Sequence, residues 1–363
     1  MHQTAAVAAD LFLDSSPNVS ISADFARNLH GLRQQIDDRL AELLPPPHDA
    51  HDLIGAALHE GVLAPGKRIR PLLLLLVGRS LGQKSAALLD LACAIEMVHA
   101  ASLFLDDMPC MDNARLRRGR LAVHARYGED IAMLGAVALL AQACGIAASL
   151  DGMPGELRAR LVAVLCDAVG VRGLVRGQYR DLREGSASRP AEDIASTNEQ
   201  KTCSLFSAAF EMAALSAGAG EQARAALRIA ATELGHAFQL RDDIEDCAKT
   251  PATFTKDRNK DTGKSTLVAL LGLNVVEQRL ARHLAQAETQ LGYALPSDQG
   301  VVAVLREIFN SSPIAGQKKP CVAHLSSAIA TDFITTVRLK VEQNQLVTDG
   351  WGCSLGAIGL QGA

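Results

Sequence analysis

Apolar residues recur at helical spacing along most of the chain, and this pattern predicts its secondary structure. A first helix is predicted over residues 23–44, and the prolines at 45–47 end it because proline cannot continue a helix. Further helices are predicted over residues 85–105, 130–150, 155–182, 190–217 and 221–247. Strand-type alternation is essentially absent, and the breaks are short, as between antiparallel helices. The pattern therefore predicts an all-α, single-domain helical bundle.

The helical periodicity divides the chain into three parts. Residues 1–22 lack clear periodicity and are predicted to form a mobile N-terminal arm. Residues 23–310 carry the predicted helices and are expected to form one domain. In residues 311–363 Gly, Ser, Thr and Val alternate irregularly, so we expect a divergent C-terminal tail.

Composition favours a helical fold, and the net charge argues against a nucleic-acid partner. Aromatic residues make up only 4% of the chain, while Ala and Leu, two strong helix formers, are abundant. The net charge of −4 gives no sign of a nucleic-acid partner. The eight cysteines form no Cys-x-x-Cys pair and match no zinc-finger spacing.

The sequence shows no pattern typical of a signal peptide or a membrane-spanning helix. No basic region followed by a hydrophobic stretch opens the chain, so we expect a cytoplasmic protein. The apolar runs 72–77 and 131–141 are too short to span a bilayer. They are interpreted as parts of core helices, and no stable membrane insertion is expected.

A first acidic cluster follows an apolar helix. Asp106 and Asp107 are adjacent, and Asp112 comes shortly afterwards. Burying neighbouring carboxylates is costly, but a hard cation removes that cost, and Mg²⁺ prefers carboxylate and phosphate oxygens together. Pro109 is expected to end or bend the helix so that Asp112 points back at the same site. The alternative, an ordinary surface helix end, is disfavoured because acidic residues are unfavourable at a helix C-terminus.

A second acidic cluster, Asp242, Asp243 and Asp246, lies on another predicted helix. Asp242 and Asp246 are four residues apart and therefore share one face of that helix. One Asp-rich helix is a moderate signal. Two of them on separate helices of an all-α chain are far more specific, and they predict two groups of metal ions.

Basic residues accompany the acidic clusters. Lys67 and Arg70 open a Leu-rich helix, where backbone N–H groups favour anions. Arg117 and Arg118 follow the first acidic cluster, and His99 precedes it by nearly two helical turns, on the same face. Alone, such a basic cluster suggests a solvated surface and such a histidine a packed core residue. Beside the aspartates we interpret them as phosphate ligands. Further candidate donors are Lys201, Thr202, Lys256 and Lys264.

One apparent nucleotide motif is rejected. Residues 263–266, Gly-Lys-Ser-Thr, look like the end of a P-loop, but Arg258 stands where that motif needs its first Gly. No apolar strand precedes the segment, so the sequence argues against a nucleotide hydrolase.

The order of these motifs resembles the polyprenyl synthetase family, and within it the bacterial geranylgeranyl diphosphate synthases of carotenoid and related terpenoid pathways. The similarity covers about residues 53–309 and includes the segments 66–71, 99–112, 116–120, 177–182, 201–202, 238–246 and 256–267. The resemblance implies the isoprenoid synthase fold, a helical bundle around a central cavity, usually as a homodimer. It also implies a prenyltransferase that joins isopentenyl diphosphate to an allylic diphosphate (dimethylallyl, geranyl or farnesyl).

The resemblance implies a role for each matching position. Catalytic Mg²⁺ ligands would be Asp106, Asp107, Asp112, Asp242, Asp243 and Asp246. The allylic substrate would contact Arg117, Lys201 (also counted as catalytic), Thr202, Gln239, Lys256 and Lys264. Isopentenyl diphosphate would be held by Lys67, Arg70, His99 and Arg118. The tail at 311–363 departs from the family's usual C-terminus, which contributes basic residues near the site.

Product length is inferred from Ala101 and Ser102, just before Asp106. Family members that stop at fifteen carbons often carry a bulky aromatic residue there. One helical turn rises about 5.4 Å, comparable to one isoprene unit, so small residues imply the twenty-carbon geranylgeranyl diphosphate. The alternative for Ala101 is tight helix packing, and the alternative enzyme is a farnesyl diphosphate synthase.

Two further classes remain in competition. A class I terpene cyclase would not need a second diphosphate site, which Lys67, Arg70 and Arg118 suggest. A regulatory synthase subunit should have lost metal-binding aspartates, and this chain retains both sets.

Overall fold

A computed structural model describes residues 23–49, 51–184, 189–247, 266–297 and 300–310. All of these residues belong to one compact unit. The predicted arm and tail lie outside the described residues, and so do the candidate ligands Lys256 and Lys264.

The described residues are almost entirely helical, which confirms the all-α prediction. The helices are α1 (Ala23–Leu43), α2 (Leu53–Val62), α3 (Ile69–Ser80), α4 (Ala87–Asp106), α5 (Val123–Tyr127), α6 (Glu129–Ala148), α7 (Gly155–Val169), α8 (Leu174–Glu184), α9 (Ala191–Asn198), α10 (Ser204–Ser216), α11 (Glu221–Cys247), α12 (Leu267–Leu271), α13 (Leu273–Ala294) and α14 (Gly300–Asn310). Two strands of two residues each, β1 (Leu116–Arg117) and β2 (Arg120–Leu121), pair antiparallel.

Helices α3 and α4 occupy the centre of the bundle. The leucines from Leu72 to Leu75 are all fully buried in α3, and most residues of α4 are buried as well. A helix that is apolar all round needs neighbours on every side, and α4 packs against α1, α2, α3, α6 and α10. This surrounded position fixes the C-terminal end of α4, where the first acidic cluster begins.

The long helix α11 has the predicted bounds and carries the second acidic cluster at its end. It packs between α10 and α13. Its approach to the turn before α10 depends on Gly235, because a Cβ there would lie only 2.5 Å from the Cys203 sulfur. The glycine therefore lets α11 approach the residues just after Lys201 and Thr202.

The single helix predicted over 155–182 is wrong, because the chain forms α7 and α8 there. The break lies at Gly170–Gly173, where the Gly170 amide donates to the Cys166 carbonyl at 2.8 Å and the Gly173 amide to the Gly170 carbonyl at 3.0 Å. Apolar periodicity continues on both sides of the break and hides it. The two glycines were the signal for it.

The helix predicted over 190–217 is interrupted as well. One π-helical turn, Glu199–Cys203, separates α9 from α10. It contains Lys201 and Thr202. Such turns insert one extra residue into a helix and are frequent at functional sites.

The basic cluster after the first aspartates forms a hairpin, although essentially no strand was expected. Arg118 and Gly119 at its tip both have positive φ, 53° and 77°. Two-residue hairpin loops of this kind need positive φ at both central positions. The hairpin tip directs Arg117 and Arg118 to different partners.

The apolar run 131–141 lies only partly in the core: Ala132, Ala136 and Leu139 are buried as expected, but other positions are not. It belongs to α6, which has 20 residues and, like α4, is long and apolar enough by composition to cross a bilayer. The most apolar window of α4 is 67% buried, but that of α6 is only 39% buried. Met133, Leu134 and Val137 lie on its exposed side. The expected core helix thus leaves one apolar face uncovered by the described chain.

Candidate active site

The chain folds back on itself after α4. The helix ends at Asp106, and the Asp112 amide then donates to the Asp106 carbonyl at 2.9 Å. The Asn113 amide closes the same loop on the Met108 carbonyl, also at 2.9 Å. The sequence prediction that Asp112 returns to the first acidic pair is therefore confirmed for the backbone.

The carboxyl group of Asp106, at the end of α4, is perturbed by its surroundings. Burial raises its pKa to about 6, and the neighbouring charges of Asp112 and Asp107 add to the effect. The cations of Lys201 and Arg117 act in the opposite direction without cancelling it. Ionising Asp106 in this site therefore costs free energy, and a bound cation would reduce that cost.

Asp107 faces Arg117 across the loop. The Arg117 Nε lies 3.0 Å from each carboxylate oxygen, and Arg117 Nη2 also donates to Oδ1. Asp107 is only 3% exposed, so this is a nearly buried, charge-assisted pair. Asp107, a predicted metal ligand, is engaged by a guanidinium in this structure.

Lys201 reaches the first acidic cluster from the π-helical turn. Its Nζ lies 2.7 Å from Asp181 Oδ2 on α8. Burial by itself would lower the pKa of Lys201, but Asp181, Asp106 and Asp112 outweigh burial and raise it, so the side chain stays charged. Gly177 permits the approach of α8, since a Cβ there would lie 2.2 Å from the Lys201 backbone nitrogen.

The neighbouring Thr202 connects to the second acidic cluster. Its hydroxyl donates to Gln239 Oε1 at 2.9 Å, and Gln239 Nε2 donates to Asp243 Oδ1 at 2.9 Å. Asp243 is buried, whereas Asp242 and Asp246 are exposed at the end of α11. Consecutive residues of one turn therefore face the two acidic clusters, Lys201 the first and Thr202 the second.

Arg70, at the start of α3, contacts residues of α4 and α10. Its Nη1 is 3.5 Å from His99 Nε2, and its guanidinium carbon is 4.6 Å from the centre of the Phe206 ring. Burial lowers the pKa of Arg70, while Glu96 and Asp242 oppose that effect. Its Nε has no hydrogen-bond partner among the described residues. A half-buried guanidinium with an unused, buried donor suits an anionic ligand.

His99 and Arg118 complete this basic region. Burial, followed by Arg70 and Arg118, lowers the pKa of His99 well below its usual value, so the imidazole is neutral at neutral pH. Arg118 Nη1 donates to the Ala64 carbonyl at 3.3 Å. Gly66 leaves room for the guanidinium, since a Cβ there would lie 2.6 Å from Arg118 Nη1. Lys67, next to Gly66, is exposed.

The positions proposed to set chain length lie on α4. Ala101 is fully buried, and the Ser102 hydroxyl donates to the His99 carbonyl at 2.8 Å. The Phe104 ring occupies the space left by two glycines, because a Cβ on Gly61 would lie 2.2 Å from the ring and one on Gly135 3.2 Å. Phe104 is therefore directed toward α2 and α6.

A small cavity lies beside the basic region. It measures about 40 Å³, and His99, Phe104, Asp107, Arg117 and Arg118 contribute to its wall. Cavities that hold ligands of ordinary size measure roughly 300 to 1,000 Å³, so this one is too small for an isoprenoid tail. The central cavity implied by the family resemblance stays a prediction.

The acidic residues fit Mg²⁺ by their chemistry. Among the described residues, no three His, Cys, Asp or Glu side chains converge as a ready-made metal site. Mg²⁺ does not require one, because it usually keeps several waters and binds through one or two carboxylates plus substrate phosphates. Asp106 and Asp112, both acting on Lys201 and on each other, supply carboxylates of this kind.

The sequence prediction assigned no role to three charged residues near the site: Arg68, Glu96 and Asp181. Glu96 was recognisable as an acid in the middle of an apolar helix, one turn before His99. A glutamate is almost never fully buried without a partner, so its position signalled a hidden cation.

Known proteins that resemble this chain belong to one family. The polyprenyl synthetase family model matches residues 51–294. A geranylgeranyl diphosphate synthase from Pantoea ananas is 50% identical over 279 residues, which is 76% of this chain and 90% of that protein. A farnesyl/geranylfarnesyl (FPP/GFPP) synthase structure from Zymomonas mobilis superposes with a TM-score of 0.70 at 30% identity, covering 78% of this chain and 98% of that one.

A geranyltransferase from Helicobacter pylori, solved with magnesium and isoprenyl diphosphate, also superposes with a TM-score of 0.70, at 25% identity over 80% of this chain and 98% of that one. Both structural similarities support the isoprenoid synthase fold. The family match spans well over half of the chain and includes both acidic clusters, so this chain belongs to the polyprenyl synthetase family.

Proposed function

We propose that this chain is a magnesium-dependent geranylgeranyl diphosphate synthase, which condenses isopentenyl diphosphate with allylic diphosphates. The observation that carries the proposal is the π-helical turn. Its Lys201 is directed to Asp181 near Asp106 and Asp112, and its Thr202 is linked through Gln239 to Asp243. Cations and carboxylates from separate helices are thereby linked through one turn of the chain.

The allylic diphosphate is assigned to the acidic side. Carboxylates of the two clusters would hold Mg²⁺, with Asp106 and Asp112 the best-supported ligands because burial and mutual repulsion favour a bound cation there. Bound Mg²⁺ would neutralise the diphosphate and make it a better leaving group. The Helicobacter pylori relative, solved with magnesium and isoprenyl diphosphate, supports this assignment.

Isopentenyl diphosphate is assigned to the basic side. Arg70 offers a buried donor, Arg118 is held beside Gly66, and exposed Lys67 can close on the ligand. A second diphosphate site of this kind favours a condensing synthase over a terpene cyclase.

The charges dictate how the chain would act during the reaction. Breaking the allylic C–O bond places negative charge on the departing diphosphate, which the fixed cations of Lys201 and Arg117 stabilise. The double bond of isopentenyl diphosphate attacks the resulting cation, and a proton is then lost. We assign that proton to the departing diphosphate, because burial and the neighbouring arginines make His99 a poor base.

The product is assigned as twenty carbons long. Ala101 is a small, fully buried residue on α4, five residues before Asp106. The Pantoea ananas relative is a geranylgeranyl diphosphate synthase. A farnesyl diphosphate synthase is the alternative, since the Zymomonas mobilis relative is named for other chain lengths.

We also infer a homodimer. The outer face of α6 exposes Met133, Leu134 and Val137 side by side on the described chain. Contiguous apolar surface of this kind marks an interaction site, and a second copy would cover it.

Product analysis tests the proposal. The purified chain with Mg²⁺ should elongate labelled isopentenyl diphosphate on farnesyl diphosphate to a twenty-carbon diphosphate, as measured by chromatography. Fifteen-carbon product from dimethylallyl diphosphate, without further extension, would support the farnesyl alternative. A cyclised hydrocarbon would indicate a terpene cyclase, and no turnover by the folded chain would favour a regulatory subunit.

A further inference from the structure

Arg68 makes an unusual set of contacts for a loop residue. Its backbone is left-handed, with φ 48°, and only 3% of the residue is exposed. Its Nη1 donates to Glu96 Oε1 at 2.7 Å and its Nε to Asp37 Oδ1 at 2.7 Å. Its Nη2 donates to the carbonyls of Val62 at 2.8 Å and Ala64 at 3.1 Å. One guanidinium thus joins α1, α4 and the end of α2.

Glu96, the partner on α4, is equally buried at 3% exposure. Its carboxylate also acts on Arg70 and Arg118, where it opposes the loss of protonation that burial favours. Arg68 and Arg118 repel each other across the same space. Glu96 is therefore the shared counter-ion of three guanidinium groups that would otherwise crowd together.

Stability is a weak reason for such an arrangement. Buried ion pairs are often replaceable by apolar residues without loss of stability, because desolvation offsets their attraction. A left-handed backbone at a residue other than glycine adds strain. What the pair does fix is placement, since Arg68 lies between Lys67 and Arg70 in the chain and Glu96 lies one turn before His99.

We propose that Arg68 and Glu96 are a positioning pair, which holds Lys67, Arg70 and His99 in register for the diphosphate of isopentenyl diphosphate. Both side chains are almost fully buried, so we assign neither of them a contact with the substrate. This inference rests on the proposed function, because it concerns the isopentenyl side of the same site.

The test uses the full chain and measures two substrates separately. Glu96→Gln keeps an oxygen for Arg68 but removes the charge. The loss of a group that orients a ligand-binding residue, as known for metal ligands, typically costs about 10- to 100-fold in affinity, so we expect the KM for isopentenyl diphosphate to rise at least about tenfold. The KM for farnesyl diphosphate should change less than about twofold, since Lys201 and Thr202 keep their partners. Calorimetric binding of isopentenyl diphosphate without an allylic substrate should weaken in parallel.

Asp90→Asn is the matched control. It breaks a different ion pair of α4, Arg39 Nε to Asp90 Oδ1 at 2.6 Å, six residues before Glu96 and therefore about 9 Å along the helix. Both KM values should stay at wild type in this variant. If it raises the KM for isopentenyl diphosphate as much as Glu96→Gln does, the positioning role is refuted.

A lower melting temperature in Glu96→Gln with both KM values unchanged would reduce the pair to a structural contact and overturn the proposal. Should Glu96→Gln fail to fold, the double variant Arg68→Met/Glu96→Met replaces the pair with apolar volume. Weak isopentenyl diphosphate binding by that folded variant supports the proposal, and wild-type binding overturns it. If wild type itself neither binds nor turns over isopentenyl diphosphate, the proposed function fails instead.

Discussion

Gly177→Ala tests whether the position of Lys201 controls catalysis. The added methyl group would lie 2.2 Å from the Lys201 backbone nitrogen and 2.6 Å from its Cα. Ordinary contacts of this kind begin near 3.4 Å, so α8 and the π-helical turn must separate by about 1 Å or more. Overpacking of this size costs roughly 1–3 kcal/mol of the unfolding free energy. A displacement of about 1 Å at a catalytic group can cost around 100-fold in rate, so the loss of kcat should exceed what unfolding explains.

The measurement is steady-state turnover of farnesyl diphosphate together with urea unfolding of the same preparation. Gly31→Ala in α1 is the control, because no atom lies within 4 Å of its added Cβ. That variant should be as active as wild type and up to about 1 kcal/mol more stable, since Ala is the better helix former. Wild-type kcat in a folded Gly177→Ala variant would refute the role given to the turn.

Three further outcomes are expected. Asp106→Asn should lower turnover at least about 100-fold, and near-wild-type turnover would remove Asp106 from the site. The unfolding free energy of this variant at pH 8 should equal or exceed that of wild type, because a carboxyl group with its pKa raised to about 6 costs stability once it is ionised. Burial and His283 lower the pKa of His236 below 6.5, so the unfolded chain binds this proton more readily and stability should fall as the pH drops below 6.5. His236→Gln should lose less stability than wild type between pH 7.5 and about 5.5 in urea titrations, whereas exposed His30→Gln should follow wild type. Val137→Glu, at a side chain 65% exposed on α6, should convert a dimer to a monomer in light scattering, and an unchanged mass would exclude this face as the interface.

Much of the fold could be predicted because its signals are local. The bounds of α11 were predicted correctly, and the first helix ends at the prolines as expected. The return of Asp112 toward Asp106 was predicted as well, since the chain breaks directly after an apolar helix. Helical periodicity and proline act through neighbouring residues, so a single sequence contains the information.

The sequence-based prediction failed where apolar spacing continues from one helix into the next. Apolar spacing continues through Gly170–Gly173 and through the turn at Glu199–Cys203, so one helix was expected in each place. The exposed face of α6 was missed for a similar reason. Its outward residues are as apolar as its inward ones, and only the packing of the described helices shows which side is covered.

The sequence by itself determined the all-helical fold class, the two acidic clusters and the supply of basic residues around them. Tertiary structure alone decided which charges meet: Asp107 with Arg117, Lys201 with Asp181, and Arg68 with Glu96. Helical and turn preferences extend over a few residues, whereas the energy of a buried charge depends on whichever groups packing brings within a few ångströms. Those groups come from distant parts of the chain, so no local sequence pattern predicts which of them will meet.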